Sequence, residues 1–131
     1  MTSGNSFSYL EELRSSGFND VIASRELMLL GSGPVRIEIG RPWEFVDDGH
    51  GWYCPFRIVG LNVPEYMYGA GEDAVQALWL ALANIGTILY TSTEWQAGRL
   101  RQFEDSDDGN LGFPAIAPIA VLVPNATPAA I

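Results

Sequence analysis

Residues 72–90, EDAVQALWLALANIGTILY, form the one long stretch in which apolar residues recur with helical spacing. The apolar side chains share a broad arc centred near Leu78, and the polar ones gather on the other side. Such a wide arc is typical of a helix that is largely covered by protein. Asp73 and Gln76 stand just ahead of the apolar run, and their spacing predicts a capping box at the helix start.

The composition is that of one folded domain. Of 131 residues, 47% are hydrophobic and 18% are charged. All seven cations are arginines against sixteen carboxylates, and the net charge is −9. Because DNA binding needs a cationic surface facing the phosphates, we expect no nucleic-acid partner, and an anionic membrane surface is equally disfavoured. An acidic surface fits a basic protein partner, although solubility alone also accounts for it.

Three features favour a cytoplasmic protein. The single cysteine, Cys54, allows no disulfide within the chain, which fits a reducing compartment. The first residues, MTSGNSFS, lack the cationic start and apolar core of a signal peptide. Gln76 and Asn84 interrupt the apolar stretch, so we expect no membrane-spanning segment.

The segments before the helix predict strands. A Gly/Pro-rich turn separates residues 21–30 from the alternating run 35–39, which predicts an antiparallel hairpin. The second strand is predicted to continue past a bulge over residues 43–46. Residues 52–60, WYCPFRIVG, predict a third strand, in which Pro55 implies a sheet edge or a bulge. Residues 61–71 are predicted to be a loop.

These segments predict an α+β fold with the order β-β-β-α-β, its last short strand lying within residues 98–103. An antiparallel sheet of about four strands is covered on one face by a single long helix, residues 72–90. We predict that residues 1–20 form a flank with a short helix over 7–16. Residues 21–110 are predicted to form a single α+β domain, and residues 111–131 an extended Pro/Ala-rich tail.

The tail is too apolar to remain uncovered, and its prolines forbid a long helix. Because chain termini are ordered only when something holds them, we expect cover from the chain's own helix, from a sheet edge or from a second copy of the chain. A tail exchanged between two protomers would protect an exposed strand edge. We therefore predict a homodimer with the tail at or near its interface.

No catalytic or metal-binding constellation emerges. His50 and Cys54 are the only pair with base and nucleophile character, but Asp47 and Asp48 give an anionic setting, the opposite of what a reactive thiolate needs. We predict a buried, inert Cys54 and a solvated His50. One histidine and one cysteine are too few for a transition-metal site, and the run 105–109 departs from the spacing of a calcium loop. We expect no metal and no cofactor.

The aromatic residues offer two candidate binding sites. Trp79 and Leu80 fall at the margin of the buried arc or outside it, and with Tyr90 they predict an exposed apolar strip that marks a partner contact. Ordinary cover by the N-terminal segment or the tail is the alternative. A pocket between sheet and helix, near Tyr66, Tyr68 and His50, is the second candidate site.

Three motifs carry a resemblance. Residues 52–58 match W-x-C-x-F-x-I, residues 71–78 match G-x-D-A-V-Q-A-L, and residues 111–114 are L-G-F-P. Over residues 22–114 the chain resembles an uncharacterised bacterial family of small domains. The resemblance implies the order of the elements and no catalytic residue. Families of this kind include toxin-immunity and other partner-binding proteins, which is an analogy.

Two classes of function follow. The first is a non-catalytic protein-binding domain, of which an immunity-like inhibitor of a basic toxin is one concrete form. The second is a small-molecule binder or small enzyme with a pocket between sheet and helix. We favour the first because no nucleophile, base and orienting group can be assembled from the residues.

Overall fold

The computed structural model describes residues 6–45, 51–102 and 108–127. Within these ranges the chain forms, in order, α1 (Ser6–Ser16), β1 (Val21–Leu29), β2 (Gly33–Gly40), β3 (Trp43–Phe45), β4 (Gly51–Val59), β5 (Tyr66–Gly71), α2 (Ala74–Tyr90), α3 (Thr93–Gln96), β6 (Leu100–Arg101) and α4 (Ala117–Ala120).

The strands make one antiparallel sheet. Its order is β3-β4-β2-β1-β6, and β5 pairs with β4. The α+β class is confirmed, and the sheet has six strands rather than about four. The two additional strands are β3, which pairs with β4 instead of extending β2, and β5, which occupies part of the predicted loop.

Pro55 lies within the sheet, so the expectation of a strand edge or bulge there is wrong. Ile58 donates its backbone N–H to Glu65 on the β5 side at 2.8 Å. Because successive N–H groups of a strand alternate in direction, the nitrogen of Pro55 points to the other side of β4. There β2 pairs only up to Phe56 and β3 only up to Tyr53. A residue without an N–H therefore fits the gap between the two neighbouring strands.

Each face of the sheet carries its own apolar cluster. The main cluster joins the sheet to α2 and to the C-terminal part of the chain. Its larger members are Leu27, Leu29, Val35, Ile37, Ile39, Phe56, Ile58, Ile85, Leu89, Tyr90, Leu100, Leu111 and Phe113. The second cluster lies on the opposite face beneath α1, with Tyr9, Leu13, Phe45 and Tyr53 at its centre. β4 alternates between the two faces, because Cys54, Phe56 and Ile58 join the main cluster and Tyr53 joins the second.

The predicted capping box is confirmed at the start of α2. The Asp73 carboxylate accepts from the Gln76 N–H at 2.8 Å, and the Gln76 side-chain oxygen accepts from the Glu72 N–H at 2.6 Å. The first bond satisfies an N–H group that a helix start otherwise leaves free, and the second ties the residue before the cap to the first turn. Within the described part of the chain no helix has the length and apolar character needed to cross a membrane.

The buried side of α2 differs from the predicted arc. Ala77, Ala81, Ile85 and Leu89 are fully buried in a row, whereas Leu78 is only half-buried. The physical reason is the close approach of β5. A Cβ at Gly69 would overlap the backbone of Ala81, and one at Gly71 would lie 2.7 Å from the Ala77 nitrogen. The deepest contact of the helix is therefore made by small residues, and the larger Leu78 lies beside it.

A single long helix does not cover the sheet. α2 packs on β4 and β5, while residues 108–127, here called the C-terminal segment, complete the same core with Leu111, Phe113, Ile119 and Val123. The Ala115 N–H donates to the Thr127 carbonyl at 3.0 Å. The predicted extended tail is therefore held by its own domain over residues 111–127, and it contains the short helix α4.

Candidate binding surface

Tyr66 and Tyr68 do not lie between the sheet and α2. They project from β5 toward α1, where they pack with the second cluster. The Tyr68 ring meets those of Tyr9 and Tyr53 edge to face, at 5.2 and 5.1 Å. The pocket expected at these tyrosines is therefore filled on that face by aromatic side chains, and burial raises the pKa of Tyr68. His50 lies outside the described residues.

Tyr90 is buried, so the expectation that it forms part of an exposed strip is wrong. Only 1% of its surface is exposed. Its hydroxyl oxygen accepts a hydrogen bond from the Leu111 N–H at 2.9 Å, and its O–H donates one to the Phe113 carbonyl at 3.4 Å. Burial raises the pKa of Tyr90 in spite of these bonds. Tyr90 thus joins α2 to the C-terminal segment, a role that sequence reasoning missed because its partners lie about twenty residues downstream.

Trp79 and Leu80 are both half-buried, and they lie on different sides of α2. Leu80 is four residues from Gln76 and from Asn84, so it shares a side with two exposed polar residues. Trp79 follows Val75 by four residues, and the two side chains lie on one side of the helix. Neither Trp79 nor Leu80 is a member of the two apolar clusters of the described residues.

The partly exposed apolar surface of α2 runs along Val75, Leu78, Trp79 and Leu82, which we call the α2 strip; Leu78 and Leu82 also pack against the edge of the main cluster. Their spacing of three, four and seven residues places them along one side of the helix. Val75 is 76% exposed, and the other three are half-buried. The sequence assigned Val75 to the buried arc. The signal that could have corrected this is the Gly69-x-Gly71 pair, which selects the alanine row for the closest contact.

Acidic residues border the start of the α2 strip. Glu72 and Asp73 are both exposed and directly precede the helix. Several arginines elsewhere are already paired: Arg36 with Glu26 and Glu38, Arg41 with Asp20, and Arg57 with Glu38 and Glu65. Across the ranges that the structure describes, Glu72 and Asp73 form no such pair. The surface at the helix start is therefore apolar and anionic.

Cys54 has the environment of a structural thiol. It is fully buried, and its Sγ lies 3.4 Å from the Gly40 carbonyl, to which the thiol donates. Burial raises the pKa of Cys54 to about 12, so almost none of it is thiolate at neutral pH. Among the described residues, no group of three or more His, Cys, Asp and Glu side chains is placed to hold a metal ion.

Comparison with known proteins gives a family and no relative of known role. The model of a family described as a domain of unknown function matches residues 23–115. This match confirms the resemblance to an uncharacterised domain family, and it covers nearly the residues expected. No curated protein and no solved structure matches the chain.

Proposed function

We propose a function for this chain, which belongs to DUF6968, a family described as a domain of unknown function. In this proposal it is a non-catalytic domain that binds a basic protein through the α2 strip. The observation that carries the proposal is the position of Val75. An aliphatic side chain that is 76% exposed stands beside two exposed carboxylates and one turn before a half-buried tryptophan.

The apolar and anionic character of this surface supports a basic protein as the partner. Tryptophan is enriched among the residues that dominate the binding energy of interfaces, and apolar contact surrounded by polar groups is the usual anatomy of such a site. Glu72 and Asp73 would face cationic groups at its border. The net charge of −9 adds a field that steers a basic protein toward the domain.

An immunity-like inhibitor of a basic toxin is the concrete form that we propose. Such an inhibitor needs charge complementarity and a rigid surface, and it needs no catalytic group of its own. The rigid element here is α2, which is capped at Asp73 and packed against β5 through glycine and alanine. A toxin gene beside the gene for this protein would support this form. We also propose a cytoplasmic location, which the single buried Cys54 supports.

Capture from the source organism tests the protein-binding proposal, with three forms of the protein as bait. Val75→Glu places a charge on the strip, while Gln76→Glu adds the same charge on the next residue, off the strip. Both sites are in the first turn of α2, where an acidic residue favours the helix, and the glutamate that replaces Gln76 retains the capping oxygen. We expect wild type and Gln76→Glu to retain one basic protein and Val75→Glu to lose it, with affinity at least about tenfold weaker by calorimetry. Equal retention by all three forms would reject the α2 strip as the binding site.

A homodimer is a second proposal, and what supports it is the outer side of the C-terminal segment. Val121 and Leu122 are 83% and 59% exposed and adjacent in sequence. A second copy of the chain would bury this pair against itself in a twofold contact. Sedimentation should give the mass of a dimer for wild type and of a monomer for the double variant Val121→Asp/Leu122→Asp. A wild-type monomer at high concentration would refute the dimer.

A further inference from the structure

A cavity of about 280 Å³ opens where α2 and the C-terminal segment leave one corner of the sheet uncovered. Its apolar walls are Ile39 from β2, Leu82 from α2, and Phe113 and Pro114 from the C-terminal segment. Arg25 of β1 supplies a polar side chain, and Ser24 contributes only backbone atoms because its side chain points to the other face of the sheet. A concave apolar site with few polar groups is the usual form of a small-molecule site, and this volume lies just below the usual range of about 300–1,000 Å³.

Arg25 is held in place but keeps free hydrogen-bond donors. One terminal nitrogen donates to the Leu111 carbonyl at 2.9 Å, and the guanidinium carbon lies 4.9 Å from the centre of the Phe113 ring. Gly112 makes this packing possible, because a Cβ there would overlap the guanidinium. A guanidinium carries five N–H groups. Within the described ranges the bond to Leu111 uses one of them, which leaves the others for a ligand.

No carboxylate of the described residues lies within salt-bridge distance of Arg25. The neighbouring acid, Glu26, points to the other face of the sheet, where its carboxylate lies 3.6 Å from Arg36. The strand partner of Arg25 in β2 is the apolar Ile37. A half-buried cation thus stands in an acidic protein with an aromatic ring and a backbone carbonyl as its neighbours, and no described carboxylate balances its charge.

We propose that this cavity binds a small organic monocarboxylate with an apolar body. Its carboxylate would take the free N–H groups of Arg25, since guanidinium and carboxylate match in planar geometry. Its apolar part would lie against Leu82 and Phe113. A single arginine between apolar walls suits one negative charge better than a phosphate or a dicarboxylate, which would need further donors. The site is independent of the α2 strip proposal, although Leu82 belongs to both.

An NMR titration of the full chain tests the site with hexanoate as probe and hexanamide as its uncharged counterpart. We expect hexanoate to bind with a Kd of about 1 mM, as suits a ligand of this size. The amide signals that shift should be those of Ala23, Ser24 and Gly112, and hexanamide should bind at least about tenfold more weakly. Equal binding of the two probes, shifts centred elsewhere, or no saturable shift up to about 10 mM would overturn the proposal.

Three variants separate ligand binding from folding. Arg25→Gln should abolish hexanoate binding. Arg99→Gln is its matched control, because Arg99 also donates to a backbone carbonyl, that of Leu30 at 3.1 Å, and should leave binding unchanged. Should Arg25→Gln not fold, Ala23→Phe serves instead: Ala23 is exposed at the cavity, and a phenyl ring there fills the space while Arg25 stays. Unchanged binding by Ala23→Phe would overturn the assignment of the cavity.

Discussion

Gly69 of β5 lies so close to Ala81 of α2 that a Cβ at position 69 would overlap the backbone nitrogen of Ala81 and come within 2.7 Å of its α carbon. Gly71 meets Ala77 in the same way one helical turn earlier. Two strand glycines and two helix alanines therefore set how deeply α2 sits on the sheet. The same contact turns Val75 outward and so determines which side of the helix forms the α2 strip.

Gly69→Ala should destabilise the protein strongly. The atoms that the new methyl group would meet belong to the helix backbone, which cannot rotate away as a side chain can. We expect a loss of about 3 kcal/mol in the free energy of unfolding, at the upper end for overpacking of a core. Urea denaturation measures it. Gly51→Ala is the control: among the described residues a Cβ at Gly51 has no neighbour closer than 3.8 Å, so stability should change by less than about 1 kcal/mol. Equal effects at the two glycines would contradict the close contact.

Tyr90→Phe should weaken the attachment of the C-terminal segment. The substitution removes the oxygen that accepts from the buried Leu111 N–H, while the ring can stay in place. An unsatisfied buried donor costs about 1–3 kcal/mol of unfolding free energy. Tyr66→Phe serves as the control, because its hydroxyl has no hydrogen-bond partner among the described residues, and it should cost less than about 0.5 kcal/mol. If Tyr90→Phe is equally neutral, Leu111 is not held as described.

Cys54 should make the protein less stable at alkaline pH. Burial raises the pKa of the folded thiol from 9.0 to about 12. The unfolded chain therefore releases this proton at a lower pH than the folded chain does. The stability that the thiol contributes is complete below about pH 9 and is lost between about pH 9 and 12, by on the order of 1 kcal/mol per pH unit. Tyr9, Tyr68 and Tyr90, whose pKa values are also raised by burial, act in the same direction.

Comparison of wild type with Cys54→Ala isolates the thiol in urea denaturation at pH 8 and pH 10. We expect a smaller fall in stability for the variant, and identical falls would show that the thiol is not buried.

At neutral pH the native protein should react with a thiol reagent only as fast as local unfolding exposes Cys54. Rapid stoichiometric labelling would contradict an inert Cys54.

Local patterns predicted those parts of the fold that depend on residues close in sequence. The alternation in β2, the turn before it, and the Asp73–Gln76 capping box all belong to this class. β5 lies in the segment 61–71 that was predicted to be a loop. Its residues 66–71, YMYGAG, contain two glycines, which are unfavourable in an isolated strand. Their reason is tertiary, since they admit α2, and it becomes visible only when strand and helix are placed together.

The candidate binding surface was predicted less well for the same reason. A helical wheel ranks residues by polarity and so placed the centre of the buried side at Leu78, whereas the contact is centred on the smaller Ala77 and Ala81. The path of the C-terminal segment was also difficult to predict from the sequence. Its prolines prevent a regular pattern, and its path depends on distant bonds from Arg25 to Leu111 and from Trp95 to Gly109. Of the three residues predicted to form an exposed strip, Trp79, Leu80 and Tyr90, Trp79 alone lies on the α2 strip.

Photo-crosslinking in the source organism tests the binding claim most directly. p-Benzoylphenylalanine is placed at Val75, on the α2 strip, and in a second form at Val59, which is 40% exposed at the end of β4. We expect irradiation to join position 75, and not position 59, to one basic protein, and we expect an excess of wild-type domain to suppress the product. No adduct from position 75, or the same adducts from both positions, would contradict binding through the α2 strip.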